Sequence, residues 1–97
     1  MYAIGVIRYR RPIDEIEAVT EEHRAYQREL RARGVILAAG PLVPRLSGMA
    51  LFRVPDENYI KELDKIRDGD PFVKHGVAQY EWLAWAPVMG VEGLNKL

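Results

Sequence analysis

The sequence predicts an α+β fold in which two helices cover one face of a four-stranded antiparallel sheet, in the order β-α-β-β-α-β. Three observations predict it. Two segments carry apolar residues at helical spacing, each closed by a glycine. Short apolar runs rich in β-branched and aromatic residues stand before, between and after those segments. The interval between the helices holds two such runs, which gives the sheet its fourth strand.

The first run, "MYAIGVIRY" (1–9), reads as a strand bounded by "RRP". Pro12 and Asp14 open a long helix; Asp14 and Glu17 have the spacing of a capping box, and entry at Pro12 serves equally well. Its inward stripe is Ile16, Val19, His23, Tyr26 and Leu30, while Glu21, Arg24, Arg28 and Arg31 form the opposite, solvated face. Gly34 supplies the C-terminal cap. "VILAAGPLV" (35–43) is the second strand. Proline cannot donate to a ladder, so Gly40-Pro41 requires this strand to bend, bulge or lie at an edge. "PRLSG" (44–48) turns into a third strand, "MALFRV" (49–54). In the second helix (55–69), Pro55 and Asp56 form the start, Tyr59, Ile60, Leu63 and Ile66 face inward, and Gly69 forms the end. "GVAQYEWLAWAPV" (76–88) is the last strand, and the tail (89–97) reads as coil or a short docking segment, with dimer docking as one use for it. This order is the split βαβ pattern of ferredoxin-like folds, and residues 1–97 read as one such domain without repeats or linker.

Composition narrows the function. A hydrophobic fraction of 48% with 29% charged residues suits an ordered soluble chain. Lys+Arg and Asp+Glu balance at 14 each, so no excess positive charge points to nucleic acid or an anionic membrane surface. No apolar run approaches the roughly 18 residues of a membrane-spanning helix. In "MYAIGVIRYRR" the charges follow the apolar stretch, the reverse of a secretory signal. With no cysteine, disulfides, thiolate metal sites and cysteine nucleophiles are excluded, and a reducing cytoplasm is the expected compartment.

The last strand places Tyr80, Trp82, Ala84 and Ala86 on one side and Val77, Leu83 and Trp85 on the other. Two helices cover only one sheet face, so the second apolar face calls for a partner. A homodimer built face to face, enclosing a cavity between the sheets, would provide it.

Few residues carry candidate chemistry. His23 lies within an apolar stripe and reads either as a core histidine with one hydrogen bond or as a functional imidazole, which needs a cavity and a partner. Asp70, in "DGDPF" (68–72), reads either as a turn residue capping nearby amides or as that partner, since the chain leaving the second helix can approach the flank of the first. A carboxylate against one ring nitrogen decides which nitrogen meets a substrate. His75, in "VKHG", reads as a surface loop residue. The two histidines have no metal-ligand spacing, "GPLVPRLSG" is not a phosphate loop, and Ser47 lacks a nucleophile-elbow context.

"VTEEHRAYQRELRARGVILAAGP" (19–41) and "DGDPFVKHGVAQYEWLAW" (68–85) together resemble the YciI-like (YCII-related) family. That family is marked by a histidine in the first helix, a Gly-Pro after the second strand, and Asp-Pro-Phe or Asp-Pro-Tyr followed by a glycine before the last strand. The resemblance covers nearly the whole chain. It implies a ferredoxin-like domain forming a dimeric α/β barrel, with His23 and Asp70 at the positions of the family's His–Asp pair. Members often carry an arginine three residues before the histidine; Thr20 stands there, so either Arg8 or Arg53 serves an anionic group instead or the substrate is less anionic. Members with assigned chemistry resemble muconolactone isomerases in fold, and some are dehydrochlorinases of chloroaromatic catabolism.

The expectation that follows is a cofactor-independent, metal-independent lyase. It would remove HCl from a chlorinated hydroxyhydroquinone or chloromuconolactone-type intermediate, with His23 as general base and Asp70 orienting it. Tyr26, Gly40, Pro41 and Phe72 would line the pocket. A neutral imidazole suits this task because a carbon acid beside a carbonyl needs a base that works near neutral pH. The alternatives are a muconolactone-type isomerase and a non-catalytic module binding a small ligand; a haem-degrading or cofactor-free monooxygenase on the same barrel fits the motifs less well.

Overall fold

The computed structural model describes all of residues 1–97. The elements run β1 (Tyr2–Tyr9), α1 (Ile13–Ala32), β2 (Ile36–Pro41), β3 (Ser47–Arg53), α2 (Tyr59–Gly69), α3 (Pro71–Lys74), β4 (Ala78–Trp85) and α4 (Val91–Asn95). The four strands form one antiparallel sheet in the order β2-β3-β1-β4, the ferredoxin-like arrangement.

The stripe of α1 is buried at Ile16, Val19, His23 and Leu30. Gly34 has φ +76 just past the helix, the left-handed conformation that ends it. Ala3, Ala50, Phe52, Leu30, Leu63 and Ile66 form one apolar cluster between helices and sheet; Ile7, Ile16, Val19, Phe72, Val77 and Ala78 form a second. Gly5 leaves room for this packing, because a Cβ there would stand 2.9 Å from the Trp82 ring and 3.0 Å from Phe52.

Several expectations are corrected in detail. Of the two starts read for α1, Pro12 is the one that stands at the N-cap, with no side-chain capping bond, and the Asp14 capping box does not form. The second helix begins at Tyr59, not at Pro55, because Asn58 takes a left-handed conformation (φ 58) and Asp56 pairs instead with the N-terminal amine of Met1. Ile60 consequently points outward and is 63% exposed. β2 is indeed an edge strand, but its irregularity falls between Ile36 and Ala38 rather than at Gly40-Pro41. A separate turn of helix, α3, occupies the Pro-Phe corner. The tail folds into α4 and docks on its own chain: Tyr2 donates its hydroxyl to Asn95 at 2.6 Å, and the Arg53 guanidinium donates to the backbone oxygens of Leu94 and Leu97.

Candidate functional site

The helical stripe that buries His23 also aims its ring at the corner after α2. There Gly69 ends α2 and Asp70, in extended conformation (φ −72, ψ 126), becomes the N-cap of α3. Its Oδ1 accepts from the backbone N–H of Phe72 at 2.9 Å, and Pro71 fills the first helical position, where a missing N–H costs nothing. The capping reading of Asp70 is therefore correct. The same Oδ1 lies 2.8 Å from Nδ1 of His23, 47 residues away in sequence, so one carboxylate both caps α3 and contacts the imidazole.

The ring of Phe72 stacks on the imidazole with centroids 3.9 Å apart and planes 4° from parallel. This fixes the ring plane while the carboxylate fixes its rotation. With Nδ1 donating to Asp70, Nε2 is the nitrogen carrying the free lone pair. A third group completes the cluster: the hydroxyl of Tyr80 on β4 donates to Oδ2 of Asp70. Asp70 is fully buried, and its three donors provide the compensation that a carboxylate away from water requires. Burial, and after it the Asp70 charge and hydrogen bond, push the Tyr80 phenol well above its ordinary range, so it stays a donor.

His23 forms part of the wall of a cavity of about 230 Å³. Ile7, Tyr9 and Gly48 supply its floor from the sheet, Ala39, Gly40 and Pro41 one side from β2, and Thr20, Arg24 and Gln27 the opposite side from α1; Arg45 and Phe72 complete it. The cavity thus lies on the helix-covered side of the sheet, within a single chain. The face-to-face arrangement expected to enclose it would instead use the other face. The reason is local: a side chain on the inward stripe of α1 can line only a space beneath α1.

Gly40, Pro41 and Phe72 line the cavity, and His23 and Asp70 meet beside it. Three expected residues lie elsewhere. The Tyr26 hydroxyl donates to the carbonyl of Ile66 at 2.8 Å, tying α1 to α2. Arg8 forms a cross-strand pair with Glu81 at 2.6 Å on the open face, and Arg53 holds the tail there. His75 is exposed, 3.3 Å from Glu22. No three His, Asp or Glu side chains converge as a metal ion would need.

Tyr80, Arg24, Gln27 and Arg45 were not singled out from sequence. Gln27 and Thr20, four residues after and three before His23, were findable from helical spacing. Strand alternation groups Tyr80 with Trp82 on one side of β4, but it names neither the face the helices cover nor a partner. Arg45 lies in the loop between β2 and β3, where no periodicity speaks.

Comparison with known proteins places this geometry in context. The family model described as the YCII-related domain matches residues 2–86. Among curated protein sequences, none matches the chain. Among solved structures, it is similar to 5-chloro-2-hydroxyhydroquinone dehydrochlorinase from Burkholderia phenoliruptrix AC1100 in complex with 2,5-dihydroxybenzoquinone. The identity is 18%, with a TM-score of 0.70 over 89% of this chain and 95% of that one.

Proposed function

The chain belongs to the YCII-related domain family, and on that premise we propose that it is a cofactor-independent lyase acting on a small carbonyl-bearing or hydroxylated ring compound. The observation that carries the reading is the 2.8 Å contact between His23 Nδ1 and a fully buried Asp70 carboxylate, at the wall of a cavity. Such an arrangement presents one nitrogen, in one tautomer and one orientation, to a bound molecule.

In the proposed reaction Nε2 of His23 takes a proton from the carbon next to a carbonyl, and the electron pair of that C–H bond forms the enolate. Collapse of the enolate expels chloride from the neighbouring carbon and leaves a double bond. The imidazolium then releases its proton, so the net loss is HCl. Asp70 holds the ring throughout and accompanies the transient positive charge. The resemblance in fold to a dehydrochlorinase makes a chlorinated hydroxyhydroquinone the first compound to try, and a chloromuconolactone the second. Where the β-carbon bears no leaving group, return of the proton at another carbon makes the same site an isomerase. The protein acts as a homodimer that buries the open sheet faces against one another.

The test is spectrophotometric turnover with chloride release, on chlorinated dihydroxyaromatics and lactones, for wild type, His23→Ala and Asp70→Asn. General-base catalysis typically contributes about 10²–10⁴-fold, and His23→Ala is expected to lose that much. Unchanged turnover in both variants would remove His23 from the mechanism. Saturable binding without turnover in the wild type would favour a ligand-binding module.

A further inference from the structure

We propose that the cavity beside His23 takes a small planar organic anion, and that Arg45 holds its charged group. This rests on the reading of His23 as the reacting base and adds the class of molecule on which that base acts.

Arg45 shares the cavity wall with His23 but comes from a different element, the loop between β2 and β3. Its guanidinium is lightly held. Nη2 reaches the Thr20 hydroxyl at 3.4 Å, and Nη1 lies 4.0 Å from Glu17, the far limit of an ion pair. Thr20 commits its own hydrogen to the carbonyl of Ile16 at 2.8 Å, so toward Arg45 it serves only as an acceptor. A guanidinium carries five N–H donors, and one long hydrogen bond leaves most of them for a ligand. Glu17 is 61% exposed, so water screens its hold on Arg45.

The charge around the cavity is one-sided although the chain as a whole has net charge zero. Arg24 stands at the same wall and takes part in no ion pair. No aspartate or glutamate lines the space, and the nearby Asp70 is sealed off at 0% exposure. Two cations and no anion in the wall of a small, partly apolar cavity select a negatively charged ligand. Thr20 precedes His23 by three residues, and on a helix that separates Cβ atoms by about 5–6 Å. A guanidinium moored at Thr20 therefore grips an oxyanion within a few bonds of the atom that Nε2 would reach. The volume of about 230 Å³ lies below the usual range for ligand sites and suits one substituted ring rather than a nucleotide.

A carboxylate and an acidic ring enolate present the same planar oxyanion to a guanidinium. Calorimetric titration of the full chain separates them, with 2,5-dihydroxybenzoquinone as ring anion, benzoate as carboxylate, and hydroquinone and benzamide as neutral counterparts. The expected result is saturable binding of at least one anion, at least about 10-fold tighter than its neutral counterpart. Arg45→Gln should weaken that anion by about 10- to 100-fold, the usual worth of a hydrogen bond to a charged group, and leave neutral compounds unchanged. Arg45→Lys should retain part of the affinity, and Lys65→Gln, a surface charge loss on α2, should retain all of it. Binding of only the quinone or only benzoate identifies the oxyanion. His23→Ala should keep the anion while losing turnover, so the base reading and the anion reading stand or fall on separate measurements. Equal affinity for charged and neutral members of a pair, absence of saturable anion binding, or an unaltered affinity in Arg45→Gln would overturn the inference.

Discussion

At the scale of single residues, Asp70 links three parts of the chain through two oxygens: α1 through His23, its own α3 through the Phe72 amide, and β4 through Tyr80. Such a buried carboxylate tolerates little change, since removing one partner of a buried charged pair typically costs about 3–5 kcal/mol. Tyr80→Phe is the gentler probe. It leaves Oδ2 without a donor and should cost roughly 1–3 kcal/mol at neutral pH, read from chemical denaturation. Its pH dependence is specific. Burial and the Asp70 charge raise the folded-state pKa of Tyr80 above the ordinary tyrosine value of about 10. The unfolded chain therefore gives up this proton first. The contribution is complete below pH about 10 and declines as pH climbs beyond it. Tyr26, raised chiefly by burial, adds to the same alkaline limb. Melting temperatures of wild type and Tyr80→Phe between pH 7 and 11 should converge at the alkaline end; parallel curves would contradict the assignment.

At the scale of elements, the corner between α2 and α3 sets the site's geometry, and Gly69 matters there for space. A Cβ on Gly69 would fall 2.5 Å from the Tyr26 hydroxyl and 3.0 Å from its ring carbon Cζ. The tyrosine cannot retreat freely, because its hydroxyl is bonded to the Ile66 carbonyl and its ring packs on the core cluster. Gly69→Ala is expected to destabilise the chain by roughly 1–3 kcal/mol, as overpacking usually does, and to displace Asp70 from His23. In a Tyr26→Phe background the closest clash disappears, so the added cost of the alanine should shrink. A double-mutant cycle of denaturation midpoints measures this, and strict additivity would count against the steric account.

For the whole molecule, the open face of the sheet is an apolar surface that the two long helices leave uncovered. Leu83, Ile4 and Leu51 lie in register across β4, β1 and β3, and Met49 and Trp85 extend the patch. Leu83 is 47% exposed, Met49 41% and Trp85 40%, while α4 covers only the end near Tyr2 and Arg53. A second copy of the same face is the proposed cover. Leu83→Glu should then turn a dimer into a folded monomer in sedimentation equilibrium, with unchanged far-ultraviolet circular dichroism. A wild-type chain that stays monomeric at every accessible concentration would remove the dimer from the proposal.

Local patterning by itself determined the order of the four strands and two long helices, the buried stripe of α1 and the placing of His23 on an inward face. It offered an edge as one of three outcomes for β2, and the short helices α3 and α4 lay beyond it. These readings follow from repeats of 3.6 and 2 residues and from glycine and proline chemistry, which operate over a few neighbours. Topology offered Asp70 as one of two readings, a turn residue or the histidine's partner, and the family resemblance favoured the partner. Only the tertiary structure decided that 47 residues of separation close to 2.8 Å, that Tyr80 completes the carboxylate's bonds, and that the cavity lies beneath α1. It also decided that Arg45, rather than Arg8 or Arg53, reaches that cavity, and that Tyr26 braces α2. Helices and strands specify which way a residue faces, whereas loop paths and long-range packing specify what it meets there.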